Sequence, residues 1–164
     1  MKIAYLDKLD RAVALLLGQR AVRDSIARLK REMQASPEPF VWVTLDCGPL
    51  AGVLPPEIRS AWIFVLKRDT WSGAHYHPNS IQHMVVIEGG GRSKVGGGER
   101  RMLRYDAAGS TPDERWYVID KNVPHEFLPE GSDVVVMSFH TCEQDGLVEI
   151  EVGAGQSRVY ETRA

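Results

Sequence analysis

The stretch from Gly73 to Gly89 reads Gly-Ala-His-Tyr-His-Pro-Asn-Ser-Ile-Gln-His-Met-Val-Val-Ile-Glu-Gly. Its first half sets His75 and His77 two positions apart, so on extended backbone both imidazoles leave the same face. Paired imidazoles on one face suit a divalent transition metal. Tyr76, between them, points the other way. The second half is a short apolar run rich in β-branched residues and bounded by Pro78-Asn79 and a glycine run, which predicts a strand over 80–88. His83 faces opposite Gln82 and Met84 on that strand and is set aside as a ligand.

Working outward, the same texture fills the chain after Pro39. Runs rich in Val, Ile, Phe, Trp and Tyr alternate with Gly, Pro and Asp, as in all-β sandwiches and barrels. Strands are expected at about 40–46, 58–69, 80–88, 92–95, 100–105, 115–120, 124–128, 133–142 and 147–152, with a short one at 158–161. The tripeptides Gly89-Gly90-Gly91 and Gly96-Gly97-Gly98 bracket a tight hairpin. Neither is followed by a helix or by the lysine of a phosphate loop. Strands 80–88 and 133–142 are apolar on both faces, which for 80–88 suggests burial on both sides, by the pocket within and by a sheet, a helix or a second subunit without. For 133–142 this leaves open whether His140 points inward.

Before Pro39 the pattern is helical. Leu9, Val13, Leu16 and Leu17, then Val22, Ile26, Leu29 and Met33, recur at helical spacing, with a change of phase at Gly18. One bent helix or two are expected over 7–34, with Asp7 or Asp10 as the cap and Pro37 and Pro39 as the stop. Arg20, Arg23, Arg28, Lys30 and Arg31 form a solvated face. The division read from this is a helical extension over 1–39 and one β-domain over 40–164.

Composition narrows the function. The chain has 164 residues and a formal net charge of −2, so nothing in the balance of charge suggests a nucleic-acid partner. The apolar run Ala12–Gly18 follows acidic residues, lacks a cleavage pattern and is too short for a membrane span. Cys47 and Cys142 are too few for a disulfide framework, which reads as a cytoplasmic protein with reduced thiols.

The five histidines all fall between residues 75 and 140. The segment around His75 and His77 resembles the first signature of the cupin superfamily, with Gln82 at its glutamate position, Gly89 at its glycine and Asp69 at its leading glycine. Ile119-Asp120-Lys121-Asn122-Val123-Pro124-His125 resembles the second signature, with Asp120 and Asn122 in place of its proline and glycine. Asn tolerates the left-handed backbone that the turn needs. The resemblance covers roughly 60–142. It implies an antiparallel β-barrel or jelly roll and a metal held by His75, His77 and His125, with Gln82 as a weak fourth ligand or a partner of metal-bound water.

Gln82 is neutral where the signature has a carboxylate. Three neutral imidazoles leave the metal's full charge and open positions, the mark of a catalytic site, and favour an anionic or chelating small-molecule substrate. The three-histidine set resembles the thiol dioxygenases, and Ser138-Phe139-His140-Thr141-Cys142 is similar to their Ser-x-His-x-Tyr strand, with Cys142 where the tyrosine stands. That resemblance implies His140 as an outer hydrogen-bonder beside Gln82, Fe(II) as the favoured metal, and a dioxygenase acting on a small thiol, diketone or carboxylate, with Arg59 or Arg68 gripping a carboxylate. Two other readings stay open. One is an isomerase, lyase or hydrolase using Zn, Mn or Ni; the other is a cupin that binds a small molecule without catalysis. A homodimer is expected, as it covers exposed strand edges.

Overall fold

The computed structural model describes residues 4–164. Two helices, α1 (Leu6–Gly18) and α2 (Arg20–Ala35), open the described chain, and the break between them is Gln19, whose backbone is extended. The change of apolar phase at Gly18 therefore marks two helices. The expected caps do not form: Tyr5 precedes α1 without a side-chain cap, and Asp10 instead accepts hydrogen bonds from Arg115 and Trp116. A carboxylate one turn into a helix is free to bind outward, and here a partly buried guanidinium and an indole N–H both need an acceptor.

Among the described residues, eleven strands form two antiparallel sheets. The first has the order β1 (Phe40–Leu45), β2 (Ser60–Leu66), β9 (Val134–His140), β4 (Gln82–Glu88), β7 (Tyr117–Ile119). The second has the order β11 (Ser157–Val159), β10 (Val148–Glu151), β3 (His75–Tyr76), β8 (His125–Pro129), β5 (Gly91–Val95), β6 (Gly98–Arg101). The class is all-β, and the sheets face one another as a jelly roll without closing into a continuous barrel. The strand expected at 100–105 runs only to Arg101, and a short helix, α3 (Pro112–Arg115), occupies the start of the one expected at 115–120. Its signal is a capping box, in which Thr111 and Glu114 satisfy each other's end of the turn.

Burial on both faces of the central strands has a simple cause. Ala61, Ile63, Val65, Val85, Ile87, Val135, Met137 and Phe139 share one core with Leu9, Val13, Ile26 and Leu29 of the helices. Trp62, Leu66, Met84, Val86, Val134 and Val136, on the alternate positions, belong to a second core with Phe127 and Tyr160. Helices cover the outer face of the first sheet, and the second sheet covers its inner face.

Three turns fix where the site forms. β5 and β6 pair as the expected hairpin, Val95 against Gly98, with Gly96 at φ 57°. Asn122 has φ 64° and Asp69 φ 52°, so the two positions that lack the signature glycines still take the left-handed conformation. The turn at Asn122 is also tied to the site, because its N–H donates to the His77 carbonyl at 3.0 Å. No helix of the described residues is long and apolar enough to cross a membrane.

If the helices complete the core of the first sheet, truncating their buried side chains should act like a core cavity. Leu29→Ala, at a position 1% exposed, should cost about 2–5 kcal/mol in urea denaturation. Leu15→Ala, 50% exposed, should change stability by roughly 0.5 kcal/mol or less.

Candidate metal centre

His75 on β3 lies directly opposite His125 on β8 in the strand register, and His77 follows two residues later on the same face. The ring centroids are 4.4 Å apart for His75 and His125, 5.2 Å for His75 and His77, and 5.3 Å for His77 and His125. One ligand atom from each lies within 4.8 Å of the other two. Each ring is fixed from behind by a backbone carbonyl. Nδ1 of His75 meets the Gly73 carbonyl at 2.8 Å, Nδ1 of His77 the Val148 carbonyl at 2.7 Å, and Nδ1 of His125 the Val123 carbonyl at 3.0 Å. A carbonyl can only accept, so each Nδ1 carries a proton, and in the neutral imidazole Nε2 then presents a lone pair. That outward hydrogen bond is the usual support of a metal-bound histidine.

Burial keeps two of the rings, His77 and His125, neutral. The pKa of His77 is lowered to about 4, first by burial and then by His75, with the Val148 carbonyl, the Glu149 charge and the nearby Gln82 side chain opposing only in part. Burial, followed by the two neighbouring imidazoles, holds His125 well below its ordinary value. His125 Nε2 is buried and has no hydrogen-bond partner among the described residues. A buried lone pair with nothing to accept costs about 1–3 kcal/mol, and a cation shared with two further imidazoles would remove that cost. The donor set fits a divalent transition metal, and three neutral nitrogens leave other coordination positions for exogenous ligands.

Gln82 and His140 stand beside this cluster on the inner faces of β4 and β9, paired in register. His140 is fully enclosed, with Nδ1 3.1 Å from Ser80 Oγ and Nε2 2.8 Å from Ser138 Oγ. Gln82 Nε2 donates to Ser138 Oγ at 3.1 Å, and its Oε1 is buried with no partner among the described residues. One proton arrangement satisfies the chain. Gln82 donates to Ser138, Ser138 to His140 Nε2, and His140 Nδ1–H to Ser80, whose hydroxyl turns to the Ile81 carbonyl at 3.2 Å. It holds the Gln82 amide with its oxygen as the free acceptor. Burial holds His140 well below its ordinary pKa, so it serves as a neutral hydrogen-bonder. His83 lies on the other face of β4, bonded through Nε2 to Tyr5 Oη at 2.8 Å.

The cluster opens into a cavity of about 40 Å³. Phe40, Phe64, Phe127, Met84, Leu147 and Tyr160 form much of its wall, while His75, His77, Gln82, His140 and Glu149 form the polar part. Trp62 and Trp116 are buried in the two cores, whereas Phe64 reaches the cavity.

Two groups were not anticipated. Glu149 of β10 brings a carboxylate to 3.6 Å from His75 Nε2, so the site is not the purely neutral set expected from Gln82. Tyr160 donates its hydroxyl to that carboxylate at 2.5 Å, which brings a phenol to the cavity from a position far from Cys142. In the sequence, Val148-Glu149-Ile150-Glu151 alternates apolar and acidic residues, a pattern that marks Val148 and Ile150 as inward and Glu149 as outward. The arginines proposed for a substrate carboxylate lie elsewhere. Arg59 is exposed and within 3.7 Å of Glu143, and Arg68 is exposed outside the cavity wall.

No protein-family model matches this chain, and no curated protein does. Solved structures do. Coconut allergen cocosin matches with a TM-score of 0.53 at 15% identity, over 71% of this chain and 29% of that one. Recombinant pro-11S globulin of pumpkin gives 0.53 at 17%, over 71% and 29%. Oxalate oxidase in complex with the substrate analogue glycolate gives 0.50 at 17%, over 71% of this chain and 57% of that one. The chain thus spans less than a third of the two storage globulins and little more than half of the oxidase. These are cupin-fold proteins, and the chain has the cupin fold. Within it, the three-histidine cluster defines a candidate divalent-metal site.

The depressed imidazoles make the metal-free protein sensitive to acid in a defined window. Unfolded histidine takes up its proton near pH 6.5, whereas folded His77 does so only near pH 4. As pH falls between these values the unfolded state binds more protons, so stability drops. His77 alone accounts for roughly 3 kcal/mol by pH 4, and His125 and His140 add to it. Chemical denaturation of metal-free protein should show a steep loss from pH 6.5 to 4 that His77→Ala reduces. An unchanged slope would contradict the burial of a neutral His77.

Proposed function

We propose that this is a metal-dependent cupin enzyme in which His75, His77 and His125 hold one divalent transition metal, Fe(II) by preference, with Zn, Mn or Ni as alternatives. The observation that carries the reading is the buried, unpartnered Nε2 of His125, set against two other imidazoles whose backs are fixed to carbonyls. Residues 40–164 contain every side chain of this site and are taken as the cupin domain, with 1–39 as a helical extension.

Among metal-dependent reactions, a mononuclear non-haem dioxygenase acting on a small thiol or diketone has the best support. Bound Fe(II) would supply the activation of O₂. The chain's own residues would do the rest. The three imidazoles fix the ion and leave positions for a substrate head and a small gas. The apolar wall of Phe40, Phe64, Phe127 and Leu147 takes up the substrate's tail and keeps water from the reacting atoms. The Ser80–His140–Ser138–Gln82 chain presents the Gln82 carbonyl oxygen as a fixed acceptor.

A specific observation favours a second reading. Glu149, held by Tyr160 beside His75, could move a proton, as a lyase or isomerase using Zn, Mn or Ni requires. Elemental analysis of untagged protein, with oxygen uptake in the presence of small thiols and diketones, separates the two. The dioxygenase reading expects about one iron per chain and substrate-dependent oxygen uptake. Zn or Mn without oxygen uptake supports the second reading instead. His125→Ala should lose stoichiometric metal in either case while the metal-free fold persists, because the two apolar cores do not include that side chain. Metal retained at one per chain in His125→Ala would place the site elsewhere.

A further inference from the structure

Among the described residues, one acidic side chain lines the cavity, and its placement bears on what can bind there. Glu149 Oε2 lies 3.6 Å from His75 Nε2, too long for a hydrogen bond, and the three imidazole nitrogens cluster without it. The carboxylate therefore stands beside the nitrogen set, where a ligand on an open position of the ion would lie against it. The site is built around this group: the Glu149 side chain is 13% exposed, and Tyr160, 2% exposed, donates its hydroxyl to Oε2. That bond fixes the rotamer and leaves lone pairs on the carboxylate to accept another donor. No lysine or arginine is among the described residues that line the cavity. Arg158, across from Glu149 in the strand register, is exposed outside the cavity wall, where its guanidinium lies over the Phe40 and Tyr160 rings and offsets part of the Glu149 charge without entering the cavity.

We propose that Glu149 is a specificity-determining residue that selects substrates with a neutral, protic head group and rejects carboxylates. A thiol, enol or hydroxyl brings its own proton, which is shared between the donor atom and Glu149 whichever of the two holds it, so no net charge is added to the cavity. A carboxylate head brings a second negative charge and no proton, and meets Glu149 at short range in a largely apolar enclosure. The substrate class is then a small molecule with a protic head and an apolar or aromatic tail. Of the heads considered for the dioxygenase reading, the thiol and the enol of a diketone survive and the carboxylate does not. This inference rests on the metal reading of the three histidines.

The test uses Co(II), whose visible spectrum reports both ion and ligand, in wild type and in Glu149→Gln, titrated with benzyl mercaptan and with benzoate. Wild type should bind the thiol at least about tenfold more tightly than benzoate, and Glu149→Gln should raise benzoate affinity by about tenfold or more. Glu149→Asp keeps the charge and should keep the discrimination, which covers the case of a poorly folded Gln variant. Equal benzoate affinity in wild type and Glu149→Gln, with Co(II) bound at one per chain, overturns the inference and leaves the metal reading standing. Failure of wild type to bind Co(II) in a manner sensitive to His77→Ala overturns both.

Discussion

Strand β9 is buried along its whole length, and the molecule is arranged around that fact. All seven residues from Val134 to His140 are inaccessible. Its backbone is satisfied on both sides, by β2 and by β4, in continuous antiparallel register apart from one irregularity near Glu88. Such a strand needs apolar cover above and below it. The helices supply one layer, against Val135, Met137 and Phe139, and the second sheet supplies the other, against Val134 and Val136. A slip of one residue would send Ser138 and His140 into the helical core and take them from Ser80 and Gln82, their present partners. Parity on β9 thus decides which side of the sheet carries the chemistry.

The site follows from that parity through short hydrogen bonds. With Ser138 and His140 inward, Gln82 of β4 meets Ser138, and the serine–histidine–serine chain closes without an unpaired donor. Across the gap, β3 and β8 set His75 against His125, and the left-handed turn at Asn122 ties that end of the second sheet to His77. Three carbonyls then hold the three rings in one tautomer. Burial keeps His77 and His125 uncharged, so protons compete weakly for the lone pairs at neutral pH. The polar groups are gathered at the cluster, and much of the remaining wall is aromatic or aliphatic. Such an arrangement orients a small molecule by its head and encloses it by its tail.

Much of this was legible in the chain. The spacing of His75 and His77 placed two imidazoles on one face because strand geometry has period two. Asn122 could be read as a turn residue because its side chain tolerates positive φ, and Gly96 because a two-residue hairpin turn demands it. The inward position of His140 was not legible. β9 is apolar at both parities, and only the presence of the helices on one side tells the faces apart. Glu149 was hidden for a different reason. Its strand alternates Val148 and Ile150 with Glu149 and Glu151, a pattern that points the acidic residues outward. Its contact with His75 and its bond to Tyr160 are set by tertiary packing. Asp10 was misread as a cap because helix propensity is local, whereas its partners Arg115 and Trp116 come from about a hundred residues away.

The central claim is that three neutral imidazoles, each bonded behind through Nδ1, converge through Nε2 on one ion. X-ray absorption at the metal edge of protein loaded with one equivalent of Zn(II) reads this directly. The account predicts three imidazole scatterers at about 2.0–2.1 Å, with the remaining shell made of oxygen. Two or fewer imidazoles, or a sulfur scatterer near ~2.3 Å, would contradict it.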